Sequence, residues 1–120
     1  MSEAGCLSWP EVLALHGTRR GIRGTPPGAS ILFDVGLSPY RNRRDGARLH
    51  YQGEGSGDQA PEGGNAVLLR CQEGGLPVQV FERLRPGCWR DLGPHGVTGC
   101  LYQRSDGRMA FEFLLEPRQV

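Results

Sequence analysis

The sequence predicts a single α+β domain, mostly β, built on a curved or barrel-like sheet with one or two short flanking helices. Three observations predict it. The chain has 120 residues, enough for one hydrophobic core and little more. Its 19 glycines and nine prolines suit a turn-rich β architecture better than a helical bundle. Short apolar runs, alternating or continuous, recur between those turn residues and give roughly six strands. No internal repeat and no linker divides residues 1–120, so one domain is expected across all of them.

Each element has its own signal. Ser8-Trp9-Pro10-Glu11 has the S-x-x-E form of a capping box and predicts a helix running to about His16, ended by Gly17. Residues 18–28 read as a basic loop rich in Gly and Pro. Residues 30–35 (SILFDV) read as a buried strand, 36–47 as an Arg-rich polar loop, and 48–52 (RLHYQ) as a second strand. A long glycine loop occupies 53–64. Asn65 is expected to cap a short helix over 66–73, stopped by Gly74-Gly75. Residues 77–83 (PVQVFER) alternate apolar and polar and form the clearest strand. Strands over 88–92, 97–103 and 109–116 complete the sheet, with Ser105-Asp106-Gly107 as a hairpin turn.

Charge is distributed unevenly. The net charge is only +1, which argues against a general polyanion binder. Between Thr18 and Arg48, however, seven arginines (Arg19, Arg20, Arg23, Arg41, Arg43, Arg44, Arg48) face two acids, a local +5. There is no lysine, and guanidinium groups suit two-pronged contact with phosphate.

No run of about 18 apolar residues could span a membrane. The N-terminal residues lack the basic and apolar regions of a secretion signal, so a cytoplasmic location is expected. The four cysteines (Cys6, Cys71, Cys88, Cys100) form no C-x-x-C pair and are then expected to be free thiols. Cys88, His95 and Cys100 match no common zinc spacing, so neither metal nor other cofactor is expected.

Catalytic signatures are missing. The chain has no G-x-S-x-G, no H-E-x-x-H and no phosphate-loop lysine, and it lacks the H-x-E with P-C-x-x-C of a zinc deaminase. A binding module without chemistry of its own is expected.

The informative stretch is 40–65, YRNRRDGARLHYQGEGSGDQAPEGGN. Tyr51-Gln52-Gly53, Asp58-Gln59, Asn65-Ala66-Val67-Leu68 and Pro77-Val78-Gln79-Val80 occur in the order and spacing that resemble the SRA (SET- and RING-associated) domain. The G-E-G-x-G-D-Q form is most similar to the SRA-like domains of bacterial modification-dependent HNH restriction endonucleases. The resemblance implies a PUA-like curved β-barrel that binds 5-methyl- or 5-hydroxymethylcytosine in duplex DNA by flipping the base into an aromatic pocket. It also implies a nuclease, fused or separate, as partner.

Carried over residue by residue, the resemblance makes Tyr40 and Tyr51 the stacking rings. Asn42 falls near an acid that reads the base edge, Gln52 stands where the family has Thr, and Gly53 follows in the pocket. Both Asn42 and Gln52 depart from the family pattern. Arg19, Arg20, Arg23, Arg41, Arg43 and Arg44, with Gly55, Asp58 and Gln59 of the glycine loop, are the implied DNA contacts. Two tyrosines stacked on one base would offset the few kcal/mol that flipping costs.

Structural roles stand beside these. Tyr51 could be core, Asp58 and Gln59 could brace the loop, Asn42 could shape its own turn, and Trp9 and Trp89 read as core. Two other functions remain open at this level, an RNA-binding PUA-like module and a protein–protein adaptor.

Overall fold

In the computed structural model, which describes residues 5–35 and 42–118, the strands form one seven-stranded sheet. The elements in chain order are α1 (Trp9–His16), β1 (Ile22–Gly24), β2 (Ala29–Asp34), β3 (Arg43–Asp45), β4 (Arg48–Gln52), α2 (Gly63–Gly74), β5 (Val78–Arg85), β6 (Cys88–Ser105) and β7 (Arg108–Pro117). Strand order is β1-β2-β5-β6-β7-β4-β3. Every neighbouring pair is antiparallel except β2 with β5. That parallel pair needs a long crossover, and the crossover carries β3, β4, the glycine loop and α2. Of the residues singled out in the sequence, Asn42, Arg43, Arg44, Tyr51, Gln52, Gly53, Gly55, Asp58 and Gln59 are delivered by this connection, while Arg19, Arg20 and Arg23 precede β2.

Alternation along the strands builds a core on each face of the sheet. Ile31 and Phe33, Leu49 and Tyr51, Val78 and Val80, and Phe111, Phe113 and Leu115 point to one side and join Leu68 and Cys71 of α2. Phe81 and Trp89 point to the other side, where they meet Val12 of α1 with Leu7, Trp9 and Leu32 around them. Fully buried side chains of this kind contribute about 1.5–3 kcal/mol each. α1 is capped as predicted. Ser8 Oγ accepts from Glu11 N at 3.3 Å, Glu11 Oε1 accepts from Ser8 N at 3.0 Å, and Gly17 takes the left-handed cap with φ 87°. At the β6–β7 turn, Asp106 and Gly107 both have positive φ, 53° and 79°, the geometry that matches hairpin twist.

The structure departs from expectation in four places. β1 and β3 form where loops were predicted, because three-residue, Arg- and Gly-containing edge strands carry no hydrophobic alternation. β6 is continuous through Gly93-Pro94, read from sequence as a break. Val80 pairs with Gly93 and Phe81 with Asp91, so Leu92 is the extra residue of a bulge, and Gly93 supplies the positive φ of 79°. α2 begins at Gly63 with Glu62 as its N-cap residue, so Asn65 lies inside the helix rather than capping it. Finally, Cys6 and Cys88 form a disulfide across 82 residues, which leaves Cys71 and Cys100 as the free thiols. The expectation of four free thiols fails, since the isolated bridge of Leu7 to Trp89 brings the N-terminal segment against the start of β6. The pairing also removes Cys88 from any set of metal ligands.

Candidate nucleic-acid interface

The glycine loop between β4 and α2 is held by its own motif residues. Gln59 is 3% exposed. Its Nε2 donates to Gly53 O at 2.8 Å and its Oε1 accepts from Phe111 N at 2.9 Å. Asn65, equally buried, accepts from Glu54 N at 2.8 Å and donates to Glu54 O and Ala60 O at 2.9 and 3.0 Å. Gly53 is where these side chains converge. A Cβ there would lie 2.6 Å from Asn65 Oδ1 and 2.7 Å from Gln59 Oε1. Glu54 turns its carboxylate to Gly64 N at the start of α2, where the helix dipole favours an anion.

The β6–β7 hairpin fastens the other side of the loop. Asp58 Oδ1 accepts from Met109 N at 2.8 Å, Tyr102 donates its hydroxyl to Gln59 O at 2.8 Å, and Arg108 donates to Gly55 O and Gly57 O. Asp58 and Gln59 therefore brace the loop in this structure. The backbone of 55–58 projects beside an open trough of about 560 Å³, whose lining also includes Arg20 and Glu62.

At the end of β4, Tyr51 is 5% exposed and belongs to the core. Its ring lies 6.4 Å from that of Phe33, and its hydroxyl donates to Gly21 O at 3.2 Å. Asn42 is likewise buried. Its Nδ2 donates to Asp34 O at 3.3 Å and its Oδ1 accepts from Gln52 N at 2.9 Å. The amide thus ties the end of β2 to the end of β4. Gln52 is half-buried on the opposite face from Tyr51. Tyr40 and Arg41, the other expected contacts here, lie outside the described residues.

Clustering of arginines in sequence does not carry over into one cluster of free charges. Arg23 donates to His16 O at 2.9 Å and so caps the C-terminus of α1, where a cation is favoured. Arg44 pairs with the buried Glu82 at 2.8 Å. Arg43 reaches Glu112 at 3.3 Å while its side chain stays 61% exposed. Arg48 lies 3.5 Å from Glu116. Arg19 and Arg20, both exposed on the loop after α1, have no acidic partner among the described residues. They sit over the buried His16, which positions their loop. A carbonyl can only accept, so His16 Nε2 donates to Arg20 O at 2.6 Å, and in the neutral ring Nδ1 accepts from the Ser30 hydroxyl at 2.7 Å. Burial lowers the His16 pKa, and the Arg23 charge adds to the lowering.

Sequence reasoning missed the outer face of β4 and β7. There His50, 7% exposed, places Nδ1 2.5 Å from Glu112 Oε1, and Gln103 donates to Glu112 Oε2 at 3.2 Å. The only sequence signal was the polar position between two apolar ones in RLHYQ, which fixes the face but not the partner 62 residues away.

Solved structures share this architecture. A SUVH5 SRA domain in complex with methylated CHH DNA superposes with a TM-score of 0.75 at 22% identity, over 92% of this chain and 83% of that one. The SUVH5 SRA domain bound to fully hydroxymethylated CG DNA gives 0.74 at 22%, over 88% and 79%. The modification-dependent TagI restriction endonuclease gives 0.78 at 24%, over 98% of this chain but 50% of its own length, so this chain spans half of that enzyme. No protein-family model and no curated protein matches the sequence. The fold is that of SRA domains, with the mostly β, PUA-like architecture expected from the sequence.

Proposed function

We propose that this chain, with the fold of an SRA domain, binds duplex DNA carrying a modified cytosine, 5-methyl- or 5-hydroxymethylcytosine. The observation that carries the reading is the match over nine-tenths of the chain to SRA domains crystallised on methylated and hydroxymethylated DNA. In this reading the flipped base is taken up near the end of β4 at Gln52, with Tyr40, outside the described residues, as the stacking ring that the resemblance implies, while Tyr51, buried in the core, holds the strand. Arg19 and Arg20 meet backbone phosphate, and the exposed backbone of 55–58 approaches the duplex where glycine lets it come close. The amide of Asn42, spent on two backbone groups, holds the end of β4 beside the end of β2. The chain supplies recognition, and a nuclease, fused or separate, supplies cleavage, an arrangement in keeping with the half-length match to TagI.

The test is a binding panel of identical duplexes carrying cytosine, 5-methyl-, 5-hydroxymethyl- or N4-methylcytosine, or N6-methyladenine. The reading expects one of the 5-substituted cytosines to bind at least tenfold more tightly than cytosine. Equal affinity across the panel would overturn modified-base recognition. Binding to RNA in preference to every duplex would favour an RNA-binding module instead.

A further inference from the structure

One face of the β6–β7 hairpin stays uncovered beside the glycine loop. Side chains on a strand alternate between its two faces. Tyr102 and Arg104 of β6 therefore share a face, and the register sets them opposite Phe111 and Met109 of β7. Phe111 belongs to the core that α2 covers, so Tyr102 and Arg104 continue the face of that core toward the hairpin tip. The glycine loop borders the same stretch. Gln59 N donates to Met109 O, and Met109 N donates to Asp58 Oδ1, both at 2.8 Å.

Tyr102 combines exposure with a fixed position. It is 48% exposed. Its ring rests against Phe111, with centroids 4.6 Å apart, and its hydroxyl is held by Gln59 O at 2.8 Å. A ring anchored in this way loses little further freedom when something packs on it. Arg104 is exposed and has no carboxylate partner among the described residues. Its neighbours on the hairpin and loop are spent differently. Arg108 donates to Gly55 O and Gly57 O, and Asp58 turns Oδ1 onto the backbone of β7. The hairpin thus shows an immobilised apolar ring and an unpaired cation next to the exposed backbone of 55–58.

We infer that this face is a DNA-backbone contact, in which Arg104 holds one phosphate of the bound duplex and the Tyr102 ring packs on the deoxyribose beside it. The inference rests on the DNA-binding reading above and adds two residues far in sequence from the basic segment. A guanidinium group suits a phosphate. The ring suits a sugar because bases inside a duplex present only their edges, in the grooves, whereas the backbone is what a surface ring meets. Residues two apart on a strand lie about 6.6 Å from each other, so both side chains can reach one nucleotide.

The experiment measures affinity for the preferred modified duplex and for its unmodified counterpart across a salt series. The proteins are the parent, Arg104→Gln, Tyr102→Ala, Tyr102→Phe and Arg90→Gln. The Phe variant loses the bond to Gln59 O but keeps the ring, and Arg90→Gln removes the same charge near the opposite end of β6. Arg104→Gln and Tyr102→Ala should each weaken both duplexes about three- to tenfold and leave the preference between them intact. Arg104→Gln should also reduce the steepness of log K against log salt by about 0.9, the loss of one phosphate contact. Tyr102→Phe and Arg90→Gln should stay within about twofold of the parent. If the parent binds duplex and Arg104→Gln keeps its affinity and slope, the contact is overturned and the DNA-binding reading stands. Equal losses in Arg90→Gln and Arg104→Gln would overturn it too, as an effect of overall charge, and equal losses in Tyr102→Phe and Tyr102→Ala would reduce Tyr102 to a brace for the loop. If the parent binds no duplex at all, the reading itself falls and the contact falls with it.

Discussion

Replacing Asn65 by Asp changes one buried group and almost no volume, so its cost can be worked from hydrogen bonds alone. Asn65 is 1% exposed and makes three bonds, accepting from Glu54 N and donating to Glu54 O and Ala60 O. Aspartate keeps the acceptor and loses both donors. Two buried carbonyls then face a carboxylate in place of an N–H group, and each buried group left unsatisfied costs about 1–3 kcal/mol. We expect Asn65→Asp to lose about 3–5 kcal/mol at pH 7, a large part of a small domain's usual ~5–15 kcal/mol. The loss should depend on pH with a definite sign. Burial against carbonyls raises the folded-state pKa of the new carboxyl above its unfolded value near 3.9. The penalty is therefore present above the folded pKa and shrinks as pH falls through it, because the protonated acid regains a donor. Urea denaturation of the parent, Asn65→Asp and Asn65→Ala at pH 7 and pH 5 reads this directly. The Ala variant should be destabilised to the same extent at both. A loss below about 1 kcal/mol for Asp at pH 7, or one as large at pH 5, would refute the view that Asn65 clamps the glycine loop.

Gly53→Ala should cost about 2–4 kcal/mol in the same assay, since its Cβ would meet both motif amides and Phe111 Cβ at 3.0 Å; an unchanged midpoint would mean that the loop can shift. Tyr51→Phe should lose about 1 kcal/mol with the bond to Gly21 O while retaining modified-duplex affinity, whereas Tyr51→Ala should cost ~3–5 kcal/mol as a core deletion. Thermal melts with duplex titrations separate those two effects. Reduction of Cys6–Cys88 should lower stability by up to roughly 4 kcal/mol, given the 82-residue separation, and denaturation with and without a reductant measures it. His16 and His95 both have folded pKa values lowered from 6.5, chiefly by burial. Their contribution is then complete above pH 6.5 and lost as pH falls below it. His16→Gln should flatten that part of the stability–pH curve, and an unaltered curve would count against the neutral, doubly bonded ring.

The structure explains why the sequence was readable in some places and not in others. The run from Tyr51 to Asn65 was legible because its members bond to one another. Gly53 meets Gln59 and Asn65, Glu54 meets Asn65, and Asn65 meets Ala60. When partners lie within one motif, spacing along the chain is itself the geometric constraint, so a match in spacing reports a match in structure. The helix of 9–16 was legible for the same reason, with its capping box closed within four residues. Contacts that bridge strands have no such local record. Glu82 lies 38 residues from Arg44, Glu112 lies 62 from His50, and Cys88 lies 82 from Cys6. Nothing in the spacing of either partner encodes the other, since the pairing is set by the register of a sheet that forms only when distant strands meet.

That distinction also governs how the +5 segment should be read. A run of arginines in sequence becomes a cationic surface only if the fold brings no carboxylates to it. Here the crossover carries Arg43, Arg44 and Arg48 onto β3 and β4, beside β7 and β5, whose Glu112, Glu116 and Glu82 meet them. Arg23 is drawn back onto the end of α1. Among the described residues, the exposed arginines with no carboxylate partner include Arg19 and Arg20 after α1, Arg70 on α2, and Arg90 and Arg104 on β6. An electrostatic footprint for DNA must be sought among those residues, and the sequence alone would have placed most of it on arginines that the fold has already paired.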